Sequence, residues 1–446
     1  MASTRLEKTF TASNRKTFTI STWIKRSGLT ANHCIYGAGT NDSTDRDYLA
    51  FLADSGEEDK LYFNAKVSSS VVAQFYTNRR FRDTSAWYHI VLAFDTTQAT
   101  DTNRMKLYVN GEQQTYQSVT YPSQNQDMNT NNTVHKIGST VGNGQYFDGS
   151  MSHFHFCDGT ALAPTVFGST DSVTGEWKIN ASPTFTPGTN GFTILKDGNT
   201  ITDQSSNSND FSLGGGTLTN LKDNPSHNFC NINLLYNQTT GQGVVVNNCG
   251  NTVYYAADSS RSCFGSIAPS SGKYYFEAKV FDNTNVVIGI VNMAWSAING
   301  ASGYGYHDDA LNFGYNISGQ KTSGGSNTSY GSAISNNDII GVAMDLDNSK
   351  LYFSVNGVFQ GSGVPTSGAS GTNAAFTLAS GANYTGACRL RNGTQVGFNF
   401  GNGQYSGSNL VTTNSGDGYS GAEGSSKFTY QPPTGYSAIS TKGLNE

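Results

Sequence analysis

Several groups of residues in this 446-residue chain have types and spacings from which chemistry could be built. Glu57-Glu58-Asp59 is the tightest cluster of acids, and a retaining glycosidase works with two carboxylates about 5–5.5 Å apart. The cluster follows Asp54-Ser55-Gly56, however, and reads as a solvated turn. His153 and His155 lie two apart in a strand, so they share a face and could supply half a metal site. The expectation is instead an exposed strand face, with Phe154 and Phe156 turned inward. Asp42, Asp45 and Asp47 offer the oxygens that Ca²⁺ takes, yet no glycine or distal glutamate completes an EF-hand, and a solvated loop is expected. His89 stands beside Trp87 on one face, which suits packing better than catalysis. No Cys–His or Ser–His–Asp constellation can be argued from spacing. The remaining group is Trp295 with Tyr304, Tyr306, His307 and Asp308, the last four within Gly303-Tyr-Gly-Tyr-His-Asp-Asp309. Rigid rings with polar tips on loops give contact area at small entropic cost. These five are the expected ligand-binding residues; the competing reading has the aromatics plug the end of a sandwich.

The elements that must position these residues read as strands. Tyr88, Ile90, Leu92 and Phe94 alternate along Trp87–Phe94, and Met105, Leu107 and Val109 along the next segment. Phe18–Ile24 and Tyr146–Phe156 alternate too. The pattern returns in the second half: Tyr274, Phe276, Ala278 and Val280 share a face, Val286–Val291 is a short apolar run, Asp338–Asp345 leads into Lys350–Gly357, and Val396–Phe400 closes the series. Asn110-Gly111 and Asn356-Gly357 are hairpin signals, because a type I′ turn needs positive φ at both central residues. No 12-residue stretch has helical periodicity; a single turn near Ala163–Phe167 is the one helix candidate. Composition agrees. Charged residues are 13% of the chain and there are only eight Glu, whereas Gly numbers 51, Phe 25 and Tyr 24. That excludes a disordered chain and a helical bundle and favours short strands joined by tight turns. The fold class expected is all-β: two antiparallel β-sandwiches, jelly-roll-like, in tandem.

Net charge is −5 with no basic run, so nucleic acid is not an expected partner. Apolar runs reach about seven residues against the ~20 of a membrane span, so no membrane insertion is expected. No secretory signal is expected from the charged start Met1–Lys8, and the six Cys lack metal-type spacing, so free thiols made in a reducing cytosol are expected. The least structured stretch, Asp197–Asn224, marks the domain boundary. The expected organisation is a first sandwich over 1–196, a linker over 197–227, a second sandwich over 228–405 and a C-terminal extension over 406–446.

Phe18-Thr-Ile-Ser-Thr-Trp-Ile-Lys25, Trp87-Tyr-His-Ile-Val, Lys106-Leu-Tyr-Val-Asn-Gly111, Ile137-Gly138 and Phe147-Asp-Gly149 follow one another as in a concanavalin A-like jelly roll of laminin-G/pentraxin type, which the first half resembles. Gly272-Lys-Tyr-Tyr-Phe-Glu277, Asp338–Asp347, Lys350–Gly357 and Gly397-Phe-Asn-Phe-Gly401 make the second half resemble a SPRY domain. The combination, with Asp158-Gly159, Phe167-Gly168, Glu176-Trp-Lys178, Asp223-Asn-Pro225, Asn228-Phe229 and Tyr430–Tyr436, is similar to structural proteins of marine tailed phages. That resemblance implies a non-enzymatic protein of the virion surface, made in the host cytoplasm: a tail fibre, spike or capsid appendage for host adhesion or glycan binding. It implies other virion proteins and a host-surface glycan or protein as partners, several copies per particle or a homo-oligomer, and no cofactor, with Ca²⁺ as the alternative that laminin-G and pentraxin relatives raise. The glucanase branch of the jelly-roll superfamily carries Glu-x-Asp-x-x-Glu on one strand, and this chain has no such motif. A cellular carbohydrate-binding lectin is the second reading and a glycan hydrolase a distant third.

Overall fold

The computed structural model describes residues 3–196, 198, 200–233, 244–247, 251–258, 260–295, 308–405 and 418–445. About 4% of it is helical and 44% strand, in several antiparallel sheets. The chain divides into two compact units, Met1–Asn220 and Leu221–Glu446.

In the first unit, an eight-stranded sheet runs in the order Tyr116–Thr120, Ser70–Arg80, Lys60–Val67, Asp45–Phe51, His33–Asn41, Val134–Ile137, Arg5–Thr9 and Ser212–Gly215. A six-stranded sheet runs Phe192–Ile194, Gly149–Asp158, Thr17–Arg26, Tyr88–Asp95, Met105–Val109 and Glu112–Gln113. Period-two alternation builds the core between them. Leu61, Phe63 and Phe75 from one sheet meet Ile90, Leu92, Phe94, Leu107, Phe154 and Phe156 from the other, all fully buried. The Phe63 and Phe94 rings lie 5.1 Å apart across the two layers. Each such side chain contributes about 1.5–3 kcal/mol when removed from water.

The segment expected as linker contributes to this unit. Ser212–Gly215 pairs with Arg5–Thr9, and Phe211 enters the core. Asp203 fixes the approach by accepting from the backbone N–H groups of Thr193 and Ser205, both at 2.8 Å. The polar, glycine-rich composition that suggested a linker here serves a turn and an edge strand instead.

In the second unit, one sheet contains Val245–Asn247, Thr252–Tyr255, Thr394–Asn399, Lys273–Asp282, Ile339–Asp345, Lys350–Val355 and Val358–Phe359 in that order. The opposing sheet contains Arg261–Phe264, Tyr384–Leu390, Val287–Asn292, Phe313–Asn316, Gln320–Ser323 and Ser326–Ser329. The C-terminal stretch, expected as an extension, lies against the first of these sheets. Ser437–Ala438 pairs in parallel with Lys273–Asp282, and Phe428 and Tyr436 are buried with Tyr275 and Tyr352. Glu277 holds the stretch in place. Fully buried, it accepts from the backbone N–H groups of Thr429 at 2.9 Å and Tyr430 at 2.8 Å, and from the Tyr405 hydroxyl.

Both Asn-Gly hairpins form as expected. Asn110 and Asn356 have φ of 49°, Gly111 82° and Gly357 80°. The expected turn near Ala163–Phe167 is a 3₁₀ turn at Pro164–Val166.

Candidate functional site

The outer face of the eight-stranded sheet carries an aromatic and amide patch. Because Leu61, Phe63 and Phe75 point into the core, Tyr62, Asn64, Gln74 and Tyr76 point out. Register then lines them up. Ala50 stands opposite Tyr62, Tyr62 opposite Tyr76 and Tyr76 opposite Ser118; in the next row Tyr48 stands opposite Asn64 and Asn64 opposite Gln74. Three tyrosines on three adjacent strands on the side away from the core are unusual, since that face of an antiparallel sheet is ordinarily polar.

The rings form one group. Tyr62 and Tyr76 centroids are 4.6 Å apart, and Tyr48 meets Tyr62 edge-on at 5.8 Å. Gln74 Nε2 donates to the Tyr62 hydroxyl at 3.0 Å, and the Tyr48 hydroxyl donates to Gln145 Oε1. The Arg46 guanidinium covers the Tyr48 ring at 5.3 Å while its Nη2 donates to Asn64 Oδ1 at 2.9 Å. Tyr48 is nearly buried, whereas Tyr76 and Gln74 are half-buried and reachable. Burial pushes the Tyr76 hydroxyl up to about 12, so it stays a protonated donor. The patch can stack on an apolar ring face and hydrogen-bond hydroxyls beside it.

Three nearby acids are matched to bases, while Asp54 accepts from Asn32 Nδ2 at 3.4 Å. Lys60 Nζ lies 2.5 Å from Glu57, and Arg80 2.8 Å from Glu58, which holds the Glu58 carboxyl down to about 2. Asp59 corrects the expected solvated turn. It is buried with φ of 63°, and pairs with the fully buried Arg26 at 3.0 Å and with Arg82 at 3.2 Å.

The aspartates considered for Ca²⁺ are engaged within the fold, so the solvated-loop expectation also needs correction. Asp47 is buried and accepts from Asn129 Nδ2 and from the N–H and hydroxyl of Thr130. Asp42 accepts from Thr140 Oγ1 and Gly142 N, and Asp45 from Ser68 N. Among the described residues, no group of three or more His, Cys, Asp or Glu side chains could hold a metal.

The outer face of the six-stranded sheet is covered. The hairpin Gly168–Thr170 with Trp177–Ile179 and the nearby Phe167 and Phe185 lie over it. His155, expected exposed, is buried there: it stacks on Phe167 at 5.4 Å and shares a hydrogen bond with Thr193 Oγ1 at 2.9 Å. A register shift lies between Ser152 and His155, with His153 at φ of 50°, and the two histidine rings lie 6.2 Å apart, one half-buried and the other buried. His89 is buried between Trp23 and Trp177.

Of the five expected ligand-binding residues, Trp295 is 7% exposed and packs edge-on against Phe264 at 6.1 Å, beside Val287, Val291 and Ala387. It fills a hydrophobic cluster because its large ring finds apolar strand neighbours there. Asp308 is exposed. Tyr304, Tyr306 and His307 lie outside the described residues. Sequence reading passed over Tyr48, Tyr62 and Tyr76. Their signal was present in the alternation of Tyr62 and Asn64 with Phe63, and of Gln74 and Tyr76 with Phe75.

Residues 3–166 match the family model of the concanavalin A-like lectin/glucanase superfamily, laminin-G type, and residues 273–403 match the SPRY model. Over 139 residues the chain is 29% identical to the ATP-dependent RNA helicase DDX1 of Xenopus laevis, covering 31% of this chain but only 16% of that protein. The SPRY domain of human HERC1 is similar at 15% identity and a TM-score of 0.28, covering 35% of this chain and 91% of that one. A candidate carbohydrate binding protein from Bacteroides ovatus is similar at 15% identity and a TM-score of 0.31, covering 49% and 60%. The two family models thus match in tandem, a concanavalin A-like, laminin-G-type stretch over residues 3–166 followed by a SPRY stretch over residues 273–403.

Proposed function

We propose that this chain is a non-enzymatic structural protein of a tailed-phage virion, displayed as a tail fibre, spike or capsid appendage, and that it adheres to the host surface by binding glycan. The observation that carries the binding part is the face where Tyr76 and Gln74 are half-buried and reachable, with the buried Tyr62, Tyr48 and Asn64, and Gln145, beneath and beside it. Aromatic rings flanked by amides suit a sugar, whose C–H face stacks and whose hydroxyls need both donors and acceptors. The reading as non-enzymatic is supported by the ion-paired Glu57, Glu58 and Asp59 near that face and by the missing Glu-x-Asp-x-x-Glu strand.

The virion setting rests on the resemblance to marine tailed-phage proteins, whose motif residues have definite work in each unit. Trp177 packs so closely that a Cβ on Gly111 would lie 2.4 Å from its ring. Phe229 and Tyr436 share the cluster under the C-terminal stretch. Partners on this reading are other virion proteins and a host-surface glycan, with several copies per particle and synthesis in the host cytoplasm; no cofactor is required. A second contact is proposed at the edge of the SPRY domain at Asp308, to which Tyr304, Tyr306 and His307 belong on sequence grounds.

The test is binding of the fluorescently labelled full chain to a panel of bacterial lipopolysaccharides and capsular polysaccharides, with gold-labelled antibody locating the chain on purified virions. Binding to no member of the panel, with no label on virions, would remove the proposal.

A further inference from the structure

Cys263 and Cys388 face each other across the neighbouring antiparallel strands Arg261–Phe264 and Tyr384–Leu390. Both are fully buried and belong to the same core cluster between the sheets of the second unit. Two residues on, Gly265 N donates to the directly opposite Gly386 O at 2.8 Å. Alternation along the ladder makes Cys263 and Cys388 a pair of the hydrogen-bonded kind, with Cα atoms about 5.5 Å apart. Disulfides span Cα separations of about 4.4–6.8 Å. The other described cysteines in strands have no such partner: Cys34 stands opposite Ala50, and Cys157 opposite Thr19.

We propose that Cys263 and Cys388 are a covalent cross-link site, forming a reversible cross-strand disulfide when the protein passes from a reducing to an oxidising medium. The oxidant is a low-molecular-weight disulfide such as oxidised glutathione. The thiolate of one cysteine attacks it, forming a mixed disulfide and expelling one glutathione thiolate. The second cysteine's thiolate then attacks the cysteine sulfur of that mixed disulfide, forming the Cys263–Cys388 bond and releasing the second glutathione. Two protein thiols are oxidised, one glutathione disulfide is reduced to two thiols, and the protons pass to them.

Three features shape this reaction. Arg261–Phe264 is the terminal strand of its sheet, four residues long, and among the described residues its outer side is held by Asn233 N–H to Phe264 O at 2.8 Å and the Ile232–Gly265 bridge, so opening it breaks few hydrogen bonds. Burial and the facing Cys263 thiol push the Cys388 thiol well above its ordinary range, so thiolate is scarce while the strand is closed. Side chains of a hydrogen-bonded pair also stand farther apart than those of the alternate kind, so the bond is strained and readily reduced. Once formed, it ties the edge strand to its neighbour.

The test treats the full chain with oxidised glutathione at mildly alkaline pH, with and without urea short of the unfolding transition. Free thiols are then blocked with N-ethylmaleimide, and the protein is mapped by intact mass and non-reducing peptide analysis. The proposal expects loss of two hydrogens, a joined peptide pair containing Cys263 and Cys388, a raised Tm, and reversal of all three by dithiothreitol. In Cys388→Ala, Cys263 should stop at the glutathione adduct. Where that variant does not fold, the wild-type map alone decides. Blocked thiols or separate glutathione adducts at both cysteines, with no joined peptide in either condition, would overturn it.

Discussion

The indole Nε1–H of Trp177 donates to Nδ1 of His89 at 3.0 Å, with the two rings stacked at 16°. An indole can only donate, so His89 Nδ1 accepts and its Nε2–H must donate to Ser21 Oγ, 2.9 Å away. The serine and histidine of this pair are both buried, and the imidazole's second nitrogen meets a donor rather than a carboxylate, so it cannot act as a triad base. Trp177→Ala removes the cover over His89 and Gly111 and is expected to destabilise the first unit by roughly 3 kcal/mol. Trp177→Phe keeps most of the stacking, strands the buried acceptor and is expected to cost about 1–3 kcal/mol. Urea denaturation of the two variants against wild type checks both values.

Acid should weaken the first unit before neutral pH does. Burial lowers both His89 and His135 to about 3, and lowers His155 as well. A histidine depressed in the fold binds its proton mainly in the unfolded chain, so its contribution is complete above the unfolded value of about 6.5 and is lost as pH falls toward 3. Each such ring adds a slope approaching about 1.4 kcal/mol per pH unit in that window. Buried Asp47, whose carboxyl is pushed up by desolvation, acts in the opposite sense and flattens part of the slope. The expected result is a Tm that falls steadily between pH 6.5 and 4 and a shallower fall in His135→Phe. A flat Tm over that range would contradict the neutral buried rings.

Glu277 secures the C-terminal stretch by accepting from two successive backbone N–H groups. In Glu277→Gln one acceptor oxygen becomes an NH₂ that faces other donors, at a cost of about 1–3 kcal/mol. Amide exchange at Thr429 and Tyr430 should accelerate, and protease should cut within 418–445 sooner than elsewhere in the second unit. Unchanged protection at both amides would show that Tyr436 and Phe428 hold the stretch without the carboxylate.

Gly357 combines positive φ with a close neighbour, since a Cβ there would lie 2.5 Å from Tyr430 Cδ1. Gly357→Ala is expected to cost about 1–3 kcal/mol, as a strained φ alone does, with the ring clash added. Tyr430→Ala in the same chain should return the clash portion and leave the φ portion. A double-mutant cycle with no coupling would place Tyr430 away from the turn.

Strand alternation made the two sandwiches legible. Tyr88–Phe94, Met105–Val109, Lys273–Val280 and Lys350–Val355 are strands with the inward faces that period two assigns, and Asn110-Gly111 and Asn356-Gly357 form their hairpins. The sheet carrying the tyrosine face was harder to see. His33–Asn41 contains Gly37, Ala38 and Gly39, and Lys60–Val67 contains Asn64, Ala65 and Lys66, so β-propensity there is low although burial is high. Outward tyrosines then look like core aromatics until pairing shows which side they occupy. Trp295 erred the other way: a ring just past a strand reads as loop, while Phe264 and Ala387, which pack with it beside Val287 and Val291, come from strands distant in sequence. Tertiary context also made Asp59, Asp47 and His155 interior groups, because their partners Arg26, Thr130 and Thr193 are far along the chain.

The central claim is that the Tyr62–Tyr76 face binds host-surface glycan. The most direct measurement is the affinity of the full chain for a polysaccharide from the binding panel, compared among wild type, Tyr76→Ala, Gln74→Ala and Asp308→Ala, with Tm recorded for each. Tyr76 and Gln74 are half-buried, so a tenfold or greater loss of affinity is expected for both, with Tm within a few degrees of wild type, since loss of one stacking or hydrogen-bonding group costs about 1–3 kcal/mol of binding. Wild-type affinity in Tyr76→Ala and Gln74→Ala would contradict the account, and a loss confined to Asp308→Ala would move recognition to the SPRY domain.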